Sequence, residues 1–376
     1  MVGATGLTTS ETVNNYLHIL FTLDYEIHGN GDGDPLKLMV RPTYRLLDIL
    51  EQHGAKLTIF ADIAEIIKFK EYYDKTGNDK FHVEAIEEQL KYAVVKGHDV
   101  QLHIHSSYFN ASYSGIRWEQ YWQEYDLAKL PYSRISEMIK TGKNYLESLI
   151  IPVKKDYKCI AFRAANWSMM PSNNICKALI KHGMLIDSSV YKWGRQYGNV
   201  NYNYSNAHSN CLPYPVDNSN INLYNKEGLI IEFPIYSELR GPMAFIKLPR
   251  FYRMIRARFH KHTKPESTSR DFHESKMYNR SLSVSAFFKK HAWKLDFSQS
   301  SARQMLKATN KAAKVSLESN RSVSLVLIGH SKTILGYNQR NIHRYLKRIS
   351  SNKNAIFSVF SSVYAETKHE FYKHSE

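Results

Sequence analysis

At 376 residues, 43% of them hydrophobic, the chain is long enough for two average domains or for one large α/β barrel carrying insertions. No run approaches the roughly 18 to 20 apolar residues that span a bilayer, and MVGATGLTTSETVNN has neither a basic n-region nor an apolar h-region, so neither a membrane helix nor standard secretion is expected. A formal net charge of +16 favours an anionic partner such as nucleic acid, an acidic glycan or a membrane surface, and by itself does not choose among them.

In chain order, residues 1–14 are expected to be disordered and residues 15–376 to form one domain. YLHILFTLDYEI reads as a buried strand, MVRPTYRLLDILEQHG as a helix stopped at Gly54, and AKLTIFADI as a second strand. The helix EAIEEQLKYAVVKG and strand HDVQLHIHS follow, then the helix SRISEMIKTGKNYLESLI and strand YKCIAFRAA. NNICKALIKHG precedes the strand MLIDSSV, and a helix from Ser301 to Leu317 precedes SVSLVLIGH. Helix alternating with strand over short connections predicts a parallel sheet covered by helices, at this length a distorted (β/α) barrel.

Two stretches break the alternation, about 197–225 and 236–294, and read as inserted loops or a small subdomain. The second contains PRFYRMIRARFHKHTK, either a solvated basic helix or an anion-binding surface able to touch a membrane peripherally. No nucleic-acid-binding motif is recognisable. Cys159, Cys176 and Cys211 are odd in number and lack CxxC spacing, which predicts neither a disulfide framework nor a thiolate metal site and fits a reducing cytoplasm.

Parallel α/β sheets bind ligands at the C-terminal ends of their strands, so polar residues that close apolar strands are the candidates. The first strand closes with Asp24, Tyr25 and Glu26, and alternation places the two carboxylates on one side. HDVQLHIHS presents His103 and His105 in the same way; two imidazoles at i and i+2, with a carboxylate, suit Zn²⁺ while leaving positions for water and substrate. Arg163 can hold a carboxylate ionised. Asp187 can orient a histidine or cap the next element, and His330 emerges from a buried strand, placed for proton transfer. Any one of these has an ordinary structural explanation; all of them at one end of one sheet point to function.

FTLDYE, HDVQLHIHS, FRAANW, IDSSVYKW and LIGH occur in the order of the five motifs of the polysaccharide deacetylases, carbohydrate esterases with a distorted (β/α) barrel, which the chain resembles from about Leu17 to His330. It departs from their pattern at Tyr25, where a second aspartate is usual, at Ser107, where the second histidine is usual, and at Ala165, where proline is usual. Divergent branches of that family resemble the Asp-x-Glu and His-x-His form seen here. The resemblance implies Zn²⁺ or another divalent metal on Glu26, His103 and His105, with Asp24 as base kept ionised by Arg163, or Asp24 and Glu26 exchanged. It further implies His330, oriented by Asp187, as acid, and Trp167 and Trp193 as an apolar wall for the sugar. The expected substrate is an N- or O-acetylated carbohydrate, nucleotide- or lipid-linked or acidic, in capsule or lipopolysaccharide assembly. The alternatives are another C–N hydrolase or a glycosidase on the same barrel, and a non-catalytic glycan-binding protein. Oligomeric state is not legible.

Overall fold

The computed structural model describes residues 15–241, 290–334, 336–352 and 354–372. The expectations for residues 1–14 and for the basic segment 249–264 lie outside the described residues.

The apolar runs become strands buried along their whole length, as strands covered on both faces must be. They are β1 (Leu17–Tyr25), β2 (Leu57–Asp62) and β3 (Asp99–Ile104). The α-helices α1 (Arg41–Glu51), α2 (Ile63–Thr76) and α3 (Val83–Val95) lie between them, α1 entered through a π-helical turn at Leu36–Val40. A short hairpin, β4 (Ser112–Tyr113) and β5 (Trp118–Glu119), precedes α4 (Tyr132–Ile150). A Cβ on Gly142 of α4 would lie 2.6 Å from Leu102 Cδ1, so the missing side chain is what lets this helix settle on β3. Then come β6 (Ala161–Ala164), α5 (Ser172–Lys181), β7 (Ile186–Asp187) and a second hairpin, β8 (Arg195–Gln196) with β9 (Tyr202–Asn203).

The stretch 197–225, expected as an insertion, contributes β10 (Tyr214–Asp217) and β11 (Asn220–Tyr224) to the main sheet, antiparallel, through β12 (Ile231–Glu232). Of the stretch 236–294, the described ends are β13 (Ser237–Arg240) and β14 (His291–Lys294), paired antiparallel. The chain continues with α6 (Ala302–Ser319), opened by a capping box between Ser301 and Gln304, then β15 (Val323–His330), α7 (Gly336–Ile349), β16 (Ala355–Phe357) and α8 (Phe360–Tyr372).

Among the described residues ten strands form one sheet, ordered β11-β10-β12-β7-β6-β3-β2-β1-β15, with β16 also on β1. The result is a mixed α/β fold around a large curled sheet of parallel strands, a half-barrel, where the helix–strand order predicts a distorted barrel. The sheet thins at β7 and β12, which have two residues each. Beyond β12, Ile235 makes a single parallel bridge to Val326 of β15. All three cysteines are buried and free.

Candidate metal centre

In-register parallel pairing carries a row of polar residues to one level of the sheet. His330 lies opposite Asp24, Asp62 opposite His103, His103 opposite Arg163, and Asp187 opposite Glu232. Strand alternation does the rest. Tyr25 turns the other way and donates its hydroxyl to Gln89 Oε1 of α3 at 2.8 Å, while Asp24 and Glu26 face the site.

Glu26, His103 and His105 converge, their ligand atoms within 4.8 Å of one another. Glu26 Oε2 lies 2.6 Å from His105 Nε2 and 3.4 Å from His103 Nε2. His103 Nδ1 is 2.8 Å from the Arg163 carbonyl, which only accepts; Nδ1 therefore carries a proton, and Nε2 points at the centre, where a bound cation would take the place of its proton. His105 lies just past the end of β3 and is pinned by its backbone N–H, which donates to Asp62 Oδ1 at 3.1 Å. Lys332 Nζ donates to Glu26 Oε1 at 2.9 Å and to the Ile27 carbonyl at 2.8 Å, leaving Oε2 to face both imidazoles.

Two imidazole nitrogens and one carboxylate oxygen match the protein donor set of catalytic zinc. The electrostatics fit a cation as well. Burial lowers the His103 pKa, yet Glu26, Asp24 and Asp62 outweigh it and raise the group to about 9, the sign of a site with excess negative charge. Asp62 Oδ2 is buried there with no hydrogen-bond partner. Burial also pushes Glu26 up, but Lys332, His105 and His103 hold it well below the ordinary carboxylate value.

Beside the triad, Arg163 is fully buried and donates from Nη1 to Asp24 Oδ1 at 2.8 Å and to Thr22 Oγ1 at 2.9 Å. It also donates from Nε to the Ser188 carbonyl at 2.8 Å, and its guanidinium lies 4.2 Å over the Phe60 ring. Burial raises the Asp24 pKa, and Arg163, His103 and His330 more than offset it, so Asp24 stays ionised. His330 Nε2 stands 3.6 Å from Asp24 Oδ2.

The expected pairing of Asp187 with His330 is replaced by a different one. Asp187 accepts from the Ser189 hydroxyl at 2.7 Å and the Ser189 backbone N–H at 3.1 Å, and its remaining neighbour is Glu232. The reason is register: Asp187 sits opposite Phe162 and Glu232, strands away from β15. Trp167 stands against Tyr191, ring centroids 5.6 Å apart, with Lys294 Nζ 3.0 Å from its centroid. Trp193 is not brought to that wall; it lines a hollow with Asn210, Tyr236, Glu238 and Lys311. Sequence reasoning missed Asp62, Glu232, Lys294 and Lys332. Asp62 closes an apolar strand as Asp24 nearly does, which is the sequence signal that marks it.

No family model matches the sequence, and no curated protein matches it. Among solved structures, the chain is similar to the 4-alpha-glucanotransferase of Thermococcus litoralis, at 11% identity and a TM-score of 0.50, over 94% of this chain and 40% of that one. The matches also include a Mycobacterium smegmatis protein classed as a polysaccharide deacetylase, at 12% identity and a TM-score of 0.47, over 98% of this chain and 95% of that one. A family 4 carbohydrate esterase from Streptomyces lividans matches at 11% identity and a TM-score of 0.38, over 92% and 93%. At these identities the likeness is one of fold.

Proposed function

We propose that the chain is a metal-dependent hydrolase that removes an acetyl group from an N- or O-acetylated sugar. The observation that carries this reading is the convergence of Glu26, His103 and His105 within 4.8 Å, beside a carboxylate, Asp24, held ionised by Arg163. The order of the five sequence motifs supports the same reading.

A divalent ion such as Zn²⁺ on the triad would supply an acidified water and a polarised acetyl carbonyl. The chain's own residues then do the following. Asp24 takes the proton of the attacking water as its oxygen bonds to the acetyl carbon; of the two carboxylates it suits the base better, because both imidazoles face Glu26. Arg163 keeps Asp24 charged and in place between strands. His330, within 3.6 Å of Asp24, gives a proton to the departing amine or alkoxide as the C–N or C–O bond breaks, releasing acetate. Trp167 and Tyr191 offer an apolar wall to the sugar.

The substrate in this reading is a nucleotide- or lipid-linked precursor met in the cytoplasm. Acetate release from a panel of N-acetylated sugars tests the proposal. Release should stop with a chelator, return with zinc, and be lost in His330→Ala with metal still bound. Chelator-resistant cleavage of a glycosidic bond would overturn it in favour of a glycosidase.

A further inference from the structure

A basic side chain beside Trp167 takes no part in the proposed hydrolysis. Lys294 ends β14, paired with Ser237 of β13. The next residues run onto the sheet: Leu295 N–H donates to the Tyr236 carbonyl at 2.8 Å, and Phe297 N–H to the Ile328 carbonyl at 2.9 Å, two residues before His330. The backbone that carries Lys294 is thereby anchored against β15. Its side chain reaches across to residues that follow β6 and β7, with Nζ 3.0 Å from the Trp167 ring centroid and 4.5 Å from that of Tyr191.

Aromatic faces hold an ammonium without satisfying its N–H donors. Among the described residues no acceptor meets Nζ, and the residue is half-buried. The charged groups that face it are Asp296 on its own segment, Asp24 on β1 and Arg163 on β6; Asp24 is already committed to Arg163 at 2.8 Å. If the only task were to prop Trp167 against Tyr191, an apolar side chain of this length would do it without burying an amine.

We infer that Lys294 is a specificity-determining residue that pairs with an anionic group, a carboxylate or a phosphate, on the sugar bound at this mouth. The ligand would provide the acceptors that the described residues withhold, in a site where Asp24 is neutralised by Arg163. In the free protein burial draws the Lys294 pKa down to about 7, against the pull of Asp296 and Asp24, so the cation that an anion needs is progressively lost above neutrality. The inference rests on the reading that an acetylated sugar occupies the mouth.

Calorimetric binding of three probes tests it without turnover: N-acetylglucosamine, its 6-phosphate, and the corresponding N-acetylated uronic acid. The wild-type protein should bind at least one anionic probe about tenfold or more tighter than the neutral one. The preference should weaken from pH 6 to pH 8.5, and which anion is preferred tells phosphate from carboxylate. In Lys294→Met and Lys294→Gln, each checked for an unchanged melting temperature, the preference should vanish. An anionic preference that survives in both variants, or no preference in the wild type, overturns the inference. Acetate release with no anionic preference leaves the hydrolase reading intact and removes this one; a Lys294-dependent preference without acetate release does the reverse.

Discussion

A guanidinium shut away from solvent has to place its donors inside the protein, and Arg163 gives them to Asp24, Thr22 and Ser188. The arrangement ties function to stability in a single residue. Arg163→Met leaves Asp24 buried, 4% exposed, without its counter-charge, and should cost about 3–5 kcal/mol by chemical denaturation. The Asp24 pKa should rise with it, since burial then acts with less opposition. A loss below about 1 kcal/mol would mean the pair contributes no more than a surface bridge.

At this scale Asp24, Glu26, His103 and His105 were legible because each sits at or just past the end of a continuous apolar run, where period-2 alternation fixes the side. Lys332 and Lys294 were not. One lies in the turn after β15, and the other on a hairpin whose partner strand ends at Arg240. No local pattern distinguishes them from the many other lysines of a chain with net charge +16.

Elements were read most reliably where apolar residues run unbroken, as in β1, β3 and β15, and least reliably where polar side chains compete for the backbone. MLIDSSV predicts a longer strand than β7 because Ser188 and Ser189 look neutral in sequence. In the fold, Ser188 Oγ donates to the Phe233 carbonyl at 2.9 Å and Ser189 Oγ to Asp187, and the ladder stops. α2 went unread because it starts directly after Asp62 with no intervening turn residue. β10 and β11 went unread because prolines and asparagines disguise the buried Tyr214, Val216 and Ile221.

The β7–β12 pairing also joins two buried carboxyls, Asp187 and Glu232. Burial raises both, and the charge of Asp187 raises Glu232 further, to well above its ordinary value. Glu232 Oε2, buried with no donor facing it, is satisfied if Glu232 keeps a proton and shares it with Asp187. A carboxyl whose pKa is raised by folding contributes stability that is lost as pH climbs from the unfolded value, about 4.3, through the folded one, at about 1.4 kcal/mol per unit of difference. Glu232→Gln keeps a donor for Asp187 and cannot ionise. Thermal melts should show the variant gaining on the wild type between pH 5 and pH 8; parallel curves would rule out the shared proton.

For the molecule as a whole, the half-barrel explains how one end of the sheet gathers chemistry from strands far apart in sequence: parallel strands in register deliver their last residues to a common rim. No helix among the described residues is long and apolar enough to cross a membrane. The proposed hydrolysis depends on that rim holding a divalent cation. Its most direct test is the metal content of the purified protein after zinc loading and exhaustive dialysis, read by elemental analysis beside Glu26→Gln, His103→Ala and His105→Ala, with circular dichroism confirming that each is folded. The wild type should retain about one zinc ion per chain and each variant close to none. A folded wild type that retains no metal, or variants that retain as much as the wild type, would contradict the account.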